Sequence, residues 1–467
     1  MRENGSLPQE SVPEEFFGTT AAQQGVWYGQ LLDPDSPKYN IGECFEIRGD
    51  LDPELFAAAV DRACELYDSL NLEFVTQGDT LLQRVVPHPG TGRLRLVDLS
   101  GAADPQAEVE RHMARDMATP DTLDRPRHHF ALLRADSRLH YWYVRFHHIA
   151  VDGLGSAVFT RTVADLYARA VRGEDLTGAV PADAAPLRTL VADETAYRAS
   201  GRYEADRAYW TGRFTDLAPD GGDTAHSGRS LIRRRTDLPA PAAPGTPADT
   251  ATPHTGQTPG IRLHTGESLP LGVFDDLRAL AAAHRTTWSA VLVAAVAAYT
   301  ARATGDSDVT VGLASNGRHG GLRHVVGMTS NILPLRLTAT PDTTVATLVR
   351  TVADEMRAAL RHRRFSREQL ARELGGDDAS RLTGIVVNIM GYDYDRDFAG
   401  IHAPSRVLSV GPVDDVSLFV SERGEGEPKS SGHDRTSPPV LIRSDDVPTG
   451  TAPGSAAGSS TTGCTHA

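Results

Sequence analysis

The sequence predicts a mixed α/β (α+β) protein built as two lobes. Three observations predict it. The chain has 467 residues, and at roughly 100–200 residues per domain that length suits two or three domains or one large two-lobed unit. Strand-like alternation and helical apolar spacing are interleaved in similar proportion in both halves. Between them, Asp220 to Ser268 is rich in Pro, Gly, Thr and Ala and has poor periodicity, which marks a flexible interlobe loop. The expected map is a disordered leader over 1–13, a first lobe over 14–180, a helical connector and loop over 181–268, a second lobe over 269–423 and a disordered tail over 424–467.

Order is expected from near Phe16. Phe45-Glu46-Ile47-Arg48 alternates apolar and polar, as a strand does. Asp52-Pro53-Glu54 opens a helix, with Asp52 as N-cap and Pro53 in the first helical position, and Leu55, Ala59, Val60 and Ala63 form its apolar stripe. Phe130–Arg134 and Tyr141–Phe146 read as two strands joined by a turn over Ala135–Arg138, followed by a polar cluster and then helical spacing from Leu154 to Arg172. Pro181 to Ala218 is a mostly helical connector, and a short strand is expected near Ile232 in the loop that follows. In the second half, helices are expected over Val273–His284, Ser289–Arg302 and Val345–His362, and strands over Asp308–Gly312, Asn331–Leu337, Val386–Met390 and Val416–Val420.

Composition narrows the function. A net charge of -14 argues against binding nucleic acid or anionic membranes through bulk electrostatics. Cys44, Cys64 and Cys464 are too few for a disulfide scaffold and include no CxxC pair, so a reducing cytoplasm is expected. The first residues lack a signal peptide's basic start and apolar run. The longest apolar stretch, Trp288 to Tyr299, is too short to span a bilayer and reads as a buried helix.

The most informative local sequence is Arg145-Phe146-His147-His148-Ile149-Ala150-Val151-Asp152-Gly153. A strand ending in two histidines sends their side chains to opposite faces, so one can enter a cleft while the other packs. Asp152 can cap the next helix or hold an arginine, and Gly153 lets the chain bend. By themselves these residues are equally open to a purely architectural reading. A metal site is a third reading, disfavoured because the histidines diverge and no Cys-rich or HExxH partner exists.

The pattern resembles the HHxxxDG motif of condensation domains of nonribosomal peptide synthetases. Thr20 to Trp27 with Pro34 to Asn40 looks like that family's first motif, Val326 to Arg336 is similar to its fifth, and Gly312 to Arg318 resembles an arginine-bearing turn of its second lobe. The resemblance runs from about Phe16 to Val420. It implies two chloramphenicol-acetyltransferase-like lobes forming a V with a central tunnel. Two acyl or peptidyl carrier proteins, donor and acceptor, would insert phosphopantetheine arms from opposite faces, and no bound cofactor or metal is implied. An amine would attack a thioester, forming an amide and releasing a thiol. His148 would face the tunnel and take or hold the amine proton. The catalytic set would comprise His148, His147, Asp152 and Gly153, the last through a backbone N–H that stabilises an oxyanion. Asp152 would also form a structural salt bridge with Arg318, Arg336 being the other candidate. Ser330, Asn331 and Asn388 are expected to line the tunnel, the two asparagines being equally suited to bonding neighbouring loops.

Trp27 and Trp142 read as core aromatics. Arg361-His362-Arg363-Arg364 and Arg233-Arg234-Arg235 read as solvated faces or as docking surfaces for an acidic carrier. Two departures stand out. Tyr67 and Asn71 occupy positions where the family's second motif carries His and Arg, and Asn71 cannot make an arginine's bidentate contacts. After Val420 the expected C-terminal elements give way to Ser, Gly, Pro and Thr, which would expose a sheet edge. With no adenylation or carrier domain following, a free-standing enzyme acting in trans is expected. The rivals are an HHxxxDG O-acyltransferase with an alcohol acceptor and a degenerate, non-catalytic condensation domain that docks other proteins.

Overall fold

A computed structural model describes residues 15–78, 80–87, 92–124, 128–181, 184–217, 263–268, 272–376, 382–391, 395–413, 416–421 and 439–444. The expected leader, the strand near Ile232 and the Arg233–Arg235 run lie outside these residues.

A small sheet joins β1 (Phe17–Gly18), β3 (Leu72–Gln77) and β4 (Thr80–Val85). The main sheet of the first lobe uses β2 (Asn40–Arg48), β5 (Leu94–Asp98), β6 (His129–Asp136), β7 (Leu139–His147) and β14 (Ser405–Val410), in the order β14-β2-β7-β6-β5. Strand alternation divides its two faces. Trp142, Val144 and Phe146 pack with Phe56 and Phe159, from helices Pro53–Leu66 and Gly153–Val171. Tyr141 and Tyr143 face the other way, onto Val109 and Met113 of helix Pro105–Met117. Helix starts follow the caps in the sequence, since Asp52 accepts from the Glu54 and Leu55 amides.

The second lobe is a six-stranded sheet in the order β10-β9-β11-β15-β16-β8. Its strands are β8 (Leu263–Ser268), β9 (Asp308–Asn316), β10 (Ser330–Thr338), β11 (Val386–Met390), β15 (Val416–Ser421) and β16 (Pro439–Ser444). Helices Trp288–Thr304 and Val345–Arg361 pack on it. Among the described residues no single helix is long and apolar enough to cross a membrane. The connector resolves into two helices, one for each core. Leu187 and Leu190 of Leu187–Arg198 join the first, and Trp210 and Phe214 of Gly201–Phe214 join the second.

Three boundaries differ from the sequence reading. Leu263–Ser268, assigned to the flexible loop, is an edge strand. Its residues carry little apolar periodicity, and its place is fixed by backbone pairing with β16. Pro439–Ser444, assigned to the disordered tail, is that partner strand, and it covers the β15 edge that was expected to be exposed. The segment after β11 does not stay in the second lobe. β12 (Arg396–Phe398) pairs with β13 (Ile401–Ala403), Phe398 and Ala403 are buried in the first core, and β14 pairs antiparallel with β2.

The lobes meet at a buried ion pair. Asp152 caps helix Gly153–Val171 through Oδ1, which accepts the Gly155 amide at 2.9 Å. Its Oδ2 accepts from Arg318 Nη1 at 2.6 Å and from the Thr329 amide and hydroxyl at 3.0 and 3.1 Å. Arg318 also donates to the carbonyls of Val325 and Gly327, at 2.9 and 2.7 Å. Both charged side chains are 0% exposed. Gly155 permits the close approach, since a Cβ there would lie 3.3 Å from the Gly327 backbone. Burial pushes the Asp152 carboxyl up, but the Arg318 guanidinium and the amide donors outweigh it and hold the group below its ordinary range.

Removing one partner leaves the other charge buried and alone, which costs about 3–5 kcal/mol. Asp152→Ala is therefore expected to lower the urea midpoint strongly, with Asp152→Ala/Arg318→Met recovering part of the loss. Because the folded pKa lies below the unfolded one, the contribution is complete above the unfolded value and lost as pH falls through the folded value. An Asp152→Ala protein that unfolds at the wild-type midpoint excludes this role.

Candidate active site

β7 ends at His147, and the next residues turn into helix Gly153–Val171. The two adjacent histidines divide as strand geometry requires. His147 is 1% exposed and does not line the cavity. Its Nδ1 accepts the Ile149 amide at 3.2 Å, its ring lies tilted 6.2 Å from that of Tyr39, and burial pushes its pKa down to about 3. It is a neutral packing residue, which removes it from the group expected to touch substrate.

His148 takes the other direction. Its backbone N–H donates to the Tyr39 carbonyl at 2.8 Å, which fixes the turn against the first lobe. Its Nδ1 lies 3.0 Å from the Val151 carbonyl, an oxygen that can only accept, so the proton sits on Nδ1 and Nε2 keeps its lone pair. Burial lowers the His148 pKa, opposed by the Val151 carbonyl and Asp152. The ring is thus a neutral hydrogen-bond acceptor in the wall of a cavity of about 240 Å³.

Both lobes supply that cavity. Gly153, at the helix start, lines it beside His148, and Ser330, Asn331 and Asn388 line it from the second lobe. Asn331 is also a brace: its Nδ2 donates to the Arg363 and Phe365 carbonyls at 2.9 Å, and its Oδ1 accepts the Arg367 amide at 3.1 Å. Asp152 does not line the cavity and acts on it through the turn it pins. Arg336, the alternative partner for Asp152, pairs instead with Asp308 and Asp216. A second cleft of about 860 Å³ shares Leu154, Ser315 and Asn316 with the first.

The first motif contributes structure. Thr20 caps helix Ala21–Leu31, and its hydroxyl donates to the Met328 carbonyl at 2.9 Å, tying that helix to the second lobe. Trp27 and Trp142 are both in the core. Of the basic run, Arg364 pairs with Asp193 and His362 with Asp206, so neither presents an uncompensated charge. At the departure noted above, Asn71 accepts from Arg93 Nη2 at 2.5 Å and donates to the Cys64 carbonyl, so a guanidinium reaches this point from another segment. Tyr67 shares a 2.7 Å hydrogen bond with Thr162.

Sequence reasoning missed two residues here. Gly411, at φ +100°, lies over the His148 ring. A Cβ there would sit 2.5 Å from Cδ2 and 3.0 Å from Nε2. Glu43, on β2, lines the same cavity and is 6% exposed. Extending the Phe45 and Ile47 alternation back by two residues would have pointed it inward. Among the described residues no group of three or more His, Cys, Asp or Glu is placed to hold a metal ion.

Comparison with known proteins agrees with this geometry. The family described as Condensation domain matches residues 14–230 and 247–413. An isonitrile lipopeptide synthase of Streptomyces coeruleorubidus is 37% identical over 414 residues, covering 87% of this chain and 26% of that protein. A dimodular nonribosomal peptide synthase of Bacillus subtilis is 33% identical over 418 residues, covering 88% of this chain and 16% of that protein. The chain therefore spans about a quarter of the first of these much longer relatives and about a sixth of the second. The first condensation domain of the calcium-dependent antibiotic synthetase superposes with a TM-score of 0.74 at 33% identity, covering 92% of this chain and 91% of that one. The starter condensation domain of rhizomide synthetase gives 0.70 at 30% identity, covering 92% and 90%. With the two-lobed fold, the buried joint and the cavity-facing imidazole in place, these matches make the chain a member of the condensation-domain family of nonribosomal peptide synthetases.

Proposed function

We propose that this chain joins an acyl or peptidyl thioester to an amine, both delivered on the phosphopantetheine arms of carrier proteins, and releases a carrier thiol. The observation that carries the reading is the His148 ring, with Nδ1 committed to the Val151 carbonyl and Nε2 kept as an acceptor in the cavity wall. As the amine nitrogen attacks the thioester carbon, its N–H becomes acidic, and a neutral imidazole is suited to take that proton. The Gly153 N–H, at the positive end of helix Gly153–Val171, would stabilise the oxyanion. Holding both reactants on tethers within one small cavity would supply much of the acceleration. Asp152 contributes by fixing the turn that carries His148, and Ser330 and Asn388 contribute as walls.

His148→Ala is expected to lower amide formation about 10²–10⁴-fold without moving the denaturation midpoint. The assay pairs a panel of acyl-pantetheine donors with glycyl-N-acetylcysteamine thioester. Turnover at the wild-type rate would remove His148 from the mechanism, and preference for an alcohol acceptor would favour ester formation instead. Since the reactive imidazole is neutral and burial lowers its pKa, the inflection that His148 itself gives the pH–rate profile should lie on the acid side of 6.5, separate from the loss caused by protonation of the acceptor amine at higher pH.

Gly411→Ala tests the ring's placement. The added methyl meets Cδ2 and must adopt a positive φ, so the ring must move. A displacement near 1 Å can cost about 10²-fold in kcat. An alanine variant with unchanged kcat would show that His148 tolerates displacement and that the tight packing is incidental.

A further inference from the structure

Burying a carboxylate without satisfying both oxygens is costly, so such a group inside a reaction cavity calls for a reason. Glu43 is one. Its Oε1 accepts the Ser156 hydroxyl at 2.8 Å, while Oε2 is buried and has no hydrogen-bond partner among the described residues. Among the described residues, Glu43 and Glu368 are the acidic residues lining the cavity, and of these two Glu43 is the buried one. It lies two residues along β2 from Ile41, whose side chain packs beside Gly411 at the His148 ring. That spacing puts Glu43 roughly 7 Å further along the same wall.

Among the described residues, the groups facing Glu43 leave it the local anion. Arg396 approaches from β12, but its guanidinium hydrogen-bonds Thr160 Oγ1 and the Ala157 and Asp395 carbonyls. Ser156 approaches from the helix and occupies one oxygen. His148, in the same wall, is neutral and repels no cation. The terminal torsion of a glutamate is soft, so the carboxylate can turn an oxygen toward the cavity.

We propose that Glu43 receives the acceptor's ammonium group inside the reaction cavity and takes its first proton, a role that rests on the amide-forming reading above. An amine attacks only in its neutral form, and an α-amino group in water is largely protonated at pH 7, with a pKa of about 7.7–8.0. In the step, one ammonium N–H bond breaks, its electron pair stays on nitrogen, and the proton moves to a Glu43 oxygen. The products are a free amine and a neutral carboxylic acid. His148 handles the second proton during attack, that proton leaves with the thiol, and Glu43 returns the first to water as product departs. The acidity of the site supports the division: burial pushes the Glu43 carboxyl up to about 7, against Ser156 and Arg396, whereas burial pushes His148 down and leaves it a weak base for an ammonium.

The test is Glu43→Gln, assayed with glycyl-N-acetylcysteamine thioester at pH 7 and at pH 9, where the amine is already neutral in water. The variant should lose at least tenfold in kcat/KM at pH 7 and come within about threefold of wild type at pH 9. Equal rates at pH 7, or a deficit that persists at pH 9, overturn the proposal. Ligand-observed NMR titration separates this outcome from failure of the amide-forming reading. Wild type should bind the glycyl thioester at least tenfold tighter than its acetyl analogue at pH 7, whether or not amide forms, and Glu43→Gln should abolish the difference. If Glu43→Gln does not fold, the wild-type comparison decides, and equal binding of the two thioesters overturns the assignment.

Discussion

The arrangement of this molecule depends on the buried contact between Asp152 and Arg318. Asp152 lies four residues after His148 and has both carboxylate oxygens engaged, one by the helix it starts and one by the second lobe. Its backbone N–H reaches the Gly327 carbonyl as well, so the turn is gripped through main chain and side chain together. A buried ion pair is weak evidence for net stability, because desolvation offsets most of the attraction. Its value here is geometric: the pair satisfies its donors and acceptors only when two separately built sheets meet in one register. The motif's aspartate is a joint, and its influence on chemistry passes through the position of His148.

The joint is reinforced by an exchange of chain. The second half leaves its own sheet after Met390, supplies the Arg396–Ala403 hairpin and the Ser405–Val410 edge strand to the first lobe, and returns at Val416. The return passes Gly411 across the His148 ring. His148 is therefore held at its backbone by the first lobe through Tyr39, and at its ring by its own turn through Val151 and by the crossing segment above it. An orientation set from three directions suits the proposed role, in which the ring would meet a reactant held on a tether.

Most elements were legible in the sequence because they are local. The caps Asp52 and Asp152, the aromatic and β-branched run from Tyr141 to Phe146 and the heptad-like spacing of Leu348, Val349, Val352 and Met356 each fix an element within a few residues. Strands whose position depends on a distant partner were not. Leu263–Ser268 carries little apolar pattern, and Pro439–Ser444 sits in Ser/Thr/Pro-rich sequence, yet each supplies the other's backbone partners. Nothing local says that Ser405–Val410 pairs more than 350 residues back, onto β2. At the site, alternation separated His147 from His148 but could not say which faced the cavity. Asn331 shows the limit of reading a polar residue in an apolar strand as substrate-facing, since its amide is spent on a neighbouring loop.

Glu43 escaped notice for a related reason. Glu46, three residues on, belongs to the same strand and points outward, and nothing in composition distinguishes the two carboxylates. Only parity does, because Glu43 shares its face with Phe45 and Ile47, both 0% exposed. Once it is inside, burial acts on Glu43 and His148 in one sense: each is driven toward its neutral form, the acid by holding a proton and the base by shedding one. A cavity with that bias is also hostile to an incoming ammonium, which must either find an anion or give up its charge. A carboxylate poised near neutrality offers both in sequence, first as the counter-ion and then as the proton acceptor. Desolvation would thus convert the unreactive form of the nucleophile into the reactive one at the place where the imidazole is already fixed.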